Sequence, residues 1–223
     1  MNFRLKPLAV AAALSFLAMG AHANLVQNGG FEDIGSATLQ PWGGYTYGAG
    51  FASVLPGWNV NFGNVDIVPA SFSFLQSAAS GSNFLDLNGF TSGGISQTLA
   101  TVAGQQYNLN FKYSGNGAAA ALMLLNPVGP TPLTGQTFLS AAGGNPVAWL
   151  DGAFTFTALS NTTLLSFNSL NTGTGGLLLD SVSVTAVPEP GTYALMLAGL
   201  GVVGWLARRR GVAGGRHAEP MAA

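Results

Sequence analysis

The sequence predicts an all-β domain, a jelly-roll β-sandwich, between Asn24 and Val187. Three observations predict it. No stretch of that zone keeps a helical period over a useful length. Gln106–Tyr113 alternates strictly: Tyr107, Leu109, Phe111 and Tyr113 share one face, and Gln106, Asn108, Asn110 and Lys112 the other. That pattern is a half-buried antiparallel strand. Further short β-type runs follow one another between Gly, Asn and Pro signals. They are Leu25–Gln27, Trp58–Asn61, Asn83–Asn88, Gly94–Leu99, Ala119–Leu125, Ala148–Phe156, Thr163–Ser169 and Leu177–Val184. Many short strands with turns between them build a sandwich or jelly roll. Two glycine-rich stretches, Gly35–Ser53 and Pro127–Pro146, read as long exposed connections.

The flanks differ in composition. Residues 1–23 read as a signal peptide: Arg4 and Lys6 are basic, Leu8–Met19 is apolar, and Ala21-His22-Ala23 is a small-x-small cleavage box. Residues 24–187 form the sandwich, about 160 residues, a normal size for one core. Residues 188–210 hold Pro188-Glu189-Pro190, an apolar run over Tyr193–Leu206, and Arg208, Arg209 and Arg210. The run reads as a short transmembrane helix, with Trp205 at its interfacial end and the arginines beyond. Residues 211–223 read as a disordered tail.

Charge is scarce, and Lys112 is the only cation between Asn24 and Val187. It stands against Glu32, Asp33, Asp66, Asp86, Asp151 and Asp180. An acidic domain is a poor match for phosphate backbones, so nucleic acid is not expected as a partner. The domain has no His and no Cys. That excludes Ser-His-Asp and Cys-His catalysis and a His- or Cys-ligated zinc. Glu32 and Asp33 are its only adjacent acidic pair, and neighbours on a strand point to opposite faces. The expectation is therefore a protein that is not an enzyme.

The C-terminal triplet, apolar run and arginine cluster resemble the PEP-CTERM sorting domain, the substrate tag of exosortases. The resemblance implies export, a transient stay at the inner membrane, and processing by an exosortase near Pro188, Glu189 and Pro190. It then implies delivery to the cell surface or extracellular matrix, in a setting of exopolysaccharide and biofilm. Arg208, Arg209 and Arg210 would complete the sorting motif. Gly211–Ala223 departs from the pattern, since such tags end near their arginines.

A second resemblance covers nearly the whole domain. Asn24–Glu32, Leu55–Trp58, Phe84–Gly89, Gly94–Leu99, Tyr107–Phe111 and Leu179–Val184 occur in the order seen in the choice-of-anchor C family. That family resembles the galactose-binding-like jelly rolls and plant cell-wall proteins with a domain of unknown function. The resemblance implies affinity for extracellular polysaccharide, and a structural Ca2+ held by Glu32 and Asp180.

Read from the residues alone, Asp180 shares a period-two face with Val182 and Val184. It then points inward and needs a partner, with Lys112 the only cation at hand. The alternative is a carboxylate bonded to backbone amides. Sugar binding uses exposed aromatic planes and amide or carboxylate groups. Trp42, Tyr45 and Tyr47 in the first long connection, and Trp149 beside Asp151, are candidates; core packing is the alternative for each aromatic. Asp86 and Asn88 alternate away from Leu85 and Leu87, giving either a ligand patch or a plain solvent face. Trp58, after Pro-Gly at a strand start, belongs in the core. The leading expectation is a carbohydrate-binding surface module, and the rival is a structural coat acting through protein–protein contacts.

Overall fold

The computed structural model describes residues 23–72, 77–115, 119–125, 132–139, 148–188 and 190–213; the side chains within 119–139, 190–195, 207 and 210–213 fall outside that description. Residues 1–22 and Glu189 lie outside it too, and with them most of the signal-peptide reading.

Residues 23–187 form one compact unit of two antiparallel sheets. One sheet has six strands in the order β1 (Tyr45–Gly48), β3 (Asn64–Pro69), β4 (Asn83–Asp86), β11 (Leu177–Ala186), β6 (Gln106–Gly115), β9 (Leu150–Thr157). The other has five: β2 (Asn59–Phe62), β5 (Gly94–Ala100), β10 (Thr162–Ser169), β7 (Ala119–Leu125), β8 (Pro132–Leu139). Period-two alternation turns one face of each sheet inward. From the larger sheet come Val65, Ile67, Leu85, Leu109, Phe111, Leu177 and Leu179; from the smaller come Ile95, Leu99, Leu165 and Phe167. Each such side chain, fully buried, contributes roughly 1.5–3 kcal/mol. Phe167 sits edge-on to Phe111 at 5.3 Å between ring centres, and Trp58 packs beside it in the core. The all-β jelly-roll sandwich is thus the observed fold.

Three strands lay outside the sequence reading. β1 falls inside the first long connection, and β8 inside the second. β3 fills the interval between two predicted strands. Conversely, Leu25–Gln27 is no strand. The Leu25 amide donates to Val184 O at 2.9 Å, and the Gln97 side chain stands in for the neighbouring strand. Gln97 Oε1 accepts from the Gln27 amide at 2.8 Å, and its Nε2 donates to Gln27 O and Gly57 O.

The N-terminal motif is a structural knot. Asn28 is in the left-handed region, with φ of 49°, and its amide group donates to Asp33 O and Pro56 O at 2.9 Å. The Trp58 indole donates to Asn28 O. A Cβ on Gly29 would lie 2.0 Å from Val182 O, so only glycine fits there.

A bulge interrupts β11. Its register with β6 shifts between Asp180 and Ser183, and Ser181 has φ of 53°. The extra residue flips the alternation. Leu177, Leu179, Val182 and Val184 all face the core, and Asp180 faces outward with Leu178. The expectation that Asp180 shares the inward face of Val182 and Val184 is corrected by this bulge.

C-terminal to the sandwich is one helix, α1 (Pro190–Ala213). Among the described residues, no helix is long and apolar enough to cross a membrane. The predicted transmembrane helix is therefore corrected, and the transient inner-membrane stage built on it loses its support. The uncharged stretch Tyr193–Leu206 spans only about 21 Å at 1.5 Å per residue, short of a hydrocarbon core of about 30 Å. Gly199, Gly201 and Gly204 dilute it further.

Candidate functional site

Each sheet has an outer face, and the two differ. On β2, β5 and β10 the outward positions are Asn59, Asn61, Gly94, Ser96, Thr98, Ala100, Thr162, Leu164, Ser166 and Asn168, read from the strand registers. Asn61, Ser96, Ser166 and Asn168 among them form a connected row of amides and hydroxyls. Ser96 Oγ donates to Asn61 Oδ1 at 2.6 Å, Asn61 Nδ2 to Ser166 Oγ at 3.1 Å, and Ser166 Oγ to Asn168 Oδ1 at 3.3 Å. At one end lies a cavity of about 380 Å³ lined by Gln27, Gly57, Asn59, Ser96, Gln97 and Thr98 among others, with no charged side chain. At the other end stands Phe62, 45% exposed. The register shift between Val60 and Phe62 turns that ring onto the outer face, over Gly94. A Cβ on Gly94 would meet Phe62 Cε1 at 2.5 Å and Asn168 Oδ1 at 2.3 Å. None of these residues was singled out from the sequence. The signal was there in β5 and β10, where Ser96, Thr98, Ser166 and Asn168 alternate with core residues.

The outer face of the six-stranded sheet is covered over β3, β4 and the start of β11, while along β6 and β9 it leaves Asn110, Asp151 and Thr155 exposed. Val68, Phe84 and Leu178 form a second apolar cluster, over which Trp42, Phe72 and Trp149 pack. Trp42 meets Phe72 edge-on at 5.6 Å, and Trp149 meets Phe84 likewise at 5.6 Å. The Trp149 indole donates to Ser77 O at 2.9 Å. The structure thus brings together two tryptophans far apart in sequence, as half-buried lids. Tyr45 packs partly into the main core. Tyr47 is fully buried, and its hydroxyl donates to Ile34 O at 2.9 Å. Burial pushes its phenol pKa up. It cannot present a plane to a sugar, which corrects its place among the ligand candidates.

Asp86 and Asn88 do alternate away from Leu85 and Leu87, but neither is at the surface. They are 5% and 1% exposed. Asn88 Nδ2 donates to Gly173 O at 2.8 Å, so the chain before β11 closes over them. The reading of a ligand patch or solvent face is corrected to a buried polar cluster. Burial raises the Asp86 pKa well above the ordinary value, and raises that of Asp66 to about 6. Asp151 is 81% exposed and pairs with Lys112 at 2.5 Å.

Lys112 is thus not the partner of Asp180, although the two are opposite in register. Asp180 Oδ2 accepts from the Ser80 amide at 2.9 Å, and Oδ1 from the Ser181 amide at 2.5 Å. Burial raises its pKa, and these amide bonds oppose the shift. Glu32 Oε1 accepts from the amides of Ser82 and Asn83 at 2.8 and 3.0 Å. Both carboxylates therefore clasp the 80–83 segment through N–H donors. Among the described residues, no group of three or more His, Cys, Asp or Glu is placed to hold a metal.

In the tail, Pro188 precedes α1, Pro190 opens it, and Arg208, Arg209 and Arg210 occupy its last turns. The Arg209 guanidinium lies 4.1 Å from the Trp205 ring centre, a cation–π contact one turn apart. The helix runs on to Ala213, past the arginines.

Comparison with known proteins adds two matches by sequence. A family model described as Protein of unknown function (DUF642) matches residues 24–185. A second, the PEP-CTERM protein-sorting motif, matches residues 186–210. No curated protein matches the chain. Among solved structures, the chain is similar to TmCBM61, solved in complex with β-1,4-galactotriose. Identity there is 15% and the TM-score 0.49, over 74% of this chain and 99% of that one. It is similar to a family 16 carbohydrate-binding module at 16% identity and TM-score 0.49, over 73% and 99%. It is also similar to a carbohydrate-binding module of Cellvibrio mixtus lichenase 5A at 10% identity and TM-score 0.37, over 55% and 97%.

Proposed function

This chain belongs to the DUF642 family of proteins of unknown function, and on that premise we propose that it is an exported surface or matrix protein that holds neutral polysaccharide along the outer face of its five-stranded sheet. The observation that carries the reading is the neutral row from the Gln27–Asn59–Thr98 cavity, through Asn61, Ser96 and Asn168, to Phe62. Sugar hydroxyls need paired donors and acceptors, which amides supply together, and a partly exposed ring covers an apolar sugar face. The absence of charged groups from the row favours a neutral polymer. The reading is of binding without catalysis, consistent with a domain that lacks His and Cys. The PEP-CTERM match supports exosortase recognition as the route to the surface, and exopolysaccharide as the partner found there.

Pull-down of the full chain on a panel of neutral and acidic polysaccharides tests this. Retention on a neutral polymer should fall at least tenfold in the double variant Asn59→Ala, Asn61→Ala with its melting temperature unchanged. Loss of retention in Trp42→Ala instead would move the site to the other face. No retention on any polymer, combined with self-association in sedimentation, would replace the reading with the structural-coat alternative.

A further inference from the structure

On the outer face of the six-stranded sheet, Thr46, Asp66 and Asp86 stand directly opposite one another on β1, β3 and β4. Asn88 follows two residues beyond Asp86 on the same side. Two carboxylates facing each other across a strand pair repel when both are ionised, and either a proton or a cation between them relieves the repulsion. The domain's only cation, Lys112, is committed to the exposed Asp151. Asn88 Oδ1 is buried without a hydrogen-bond partner, and Thr46 Oγ1 and Asp66 Oδ1 are buried with no partner beyond a weak contact between the Thr46 hydroxyl and the Asp66 carboxyl. Thr46 and Asn88 are 2% and 1% exposed. A buried oxygen left unpaired loses its hydration with nothing in return. A row that leaves oxygens so poorly paired calls for a ligand.

The backbone around the row is cut back to make room for oxygens. A Cβ on Gly176 would lie 2.1 Å from Asp86 Oδ1 and 2.8 Å from Asn88 Oδ1. A Cβ on Gly89 would lie 2.6 Å from Asn64 Oδ1 and 2.9 Å from Asp66 Oδ1. Neither glycine has a positive φ. Their role is therefore close approach, not turn geometry. The nearby donors are already used: the Asn88 amide bonds Asp86 Oδ1 at 2.8 Å, and Asn88 Nδ2 bonds Gly173 O.

We propose that Asp66, Asp86, Asn88 and Thr46 form an oxygen-donor site for one hard divalent cation, calcium by its donor chemistry. Carboxylate, amide and hydroxyl oxygens without nitrogen or sulfur are the donor set of Ca2+, which tolerates irregular geometry better than Mg2+. The ion would join β1, β3 and β4 to the chain before β11. It lies on different residues from Glu32 and Asp180, whose oxygens face amides. The site does not depend on the polysaccharide reading.

The test titrates CaCl2 into the full chain after EDTA treatment and dialysis. Calorimetry should show one ion per chain, and the melting temperature should rise by roughly 5–10 °C at a hundredfold excess over Kd. Asp66→Asn should weaken binding at least tenfold, and Glu32→Gln should leave it intact. If Asp66→Asn does not fold, Asn88→Asp decides: an added carboxylate should tighten binding and enlarge the thermal shift. No heat and no thermal shift with calcium overturns the proposal. A response abolished by Glu32→Gln but kept in Asp66→Asn overturns it too.

Discussion

The two outer faces of this sandwich are built from strands of similar length, and they have opposite characters. The row on the five-stranded face is neutral, with the exposed amide of Asn61 bonded to the buried hydroxyls of Ser96 and Ser166. The six-stranded face carries Asp66, Asp86 and Asp180, closed over by Trp42, Trp149 and the segments at 77–83 and 171–176. The difference teaches that polar outward positions alone do not mark a binding surface. What matters is whether another segment of chain lies on top of them.

One substitution made on both faces gives the largest contrast. Gly176→Ala puts a Cβ against Asp86 Oδ1 and the Asn88 backbone nitrogen, which is fixed in place. It should cost about 2–4 kcal/mol, read as the midpoint of urea unfolding. Gly94→Ala meets only the far ends of Phe62 and Asn168, which can swing aside. It should cost about 1 kcal/mol yet remove most polysaccharide retention. Equal costs on the two faces would break the comparison.

Next comes pH. The folded pKa of Asp66 is about 6, above its ordinary 3.8, because burial disfavours the charged form. Between those values the folded state binds more protons than the unfolded state. Stability of the calcium-free protein should therefore fall as pH rises from about 4 to about 6, by on the order of 2 kcal/mol. Asp66→Asn should flatten that slope in urea titrations run at each pH. The neutral face should contribute nothing to it, so Asn61→Ala should leave the slope unaltered.

Smaller again is the effect of Asn59→Ala with Asn61→Ala on unfolding, expected within about 0.5 kcal/mol because both residues are exposed. The smallest is Lys112→Met. Its pairing with Asp151 is exposed at both ends, so thermal unfolding should change by only about 0.2 kcal/mol, and less still in high salt.

Much of the fold is legible in the chain. Alternation in Gln106–Tyr113 places Leu109 and Phe111 in the core, where they are found. Pro56-Gly57 ahead of Trp58 points that ring inward, and it is there. The site was less legible. Trp42 and Trp149 can be picked out as special, but not as members of one cluster more than a hundred residues apart. Asp86 and Asn88 sit on the side their alternation indicates, and only the chain reaching Gly173 buries them. Asp180 is misread because a single left-handed residue, Ser181, reverses the alternation on which the reading depends.

By itself, then, the sequence determined the class: short alternating runs between Gly, Asn and Pro can bury one face only by pairing two sheets. It also determined the chemistry available, an acidic and nearly cation-free domain without His or Cys, and the order of motif, apolar run and arginines in the tail. The tertiary structure decided which polar residues meet water. Local alternation sets the side of a sheet on which a residue lies. Whether that side is open depends on loops arriving from far along the chain, and no local pattern encodes their path.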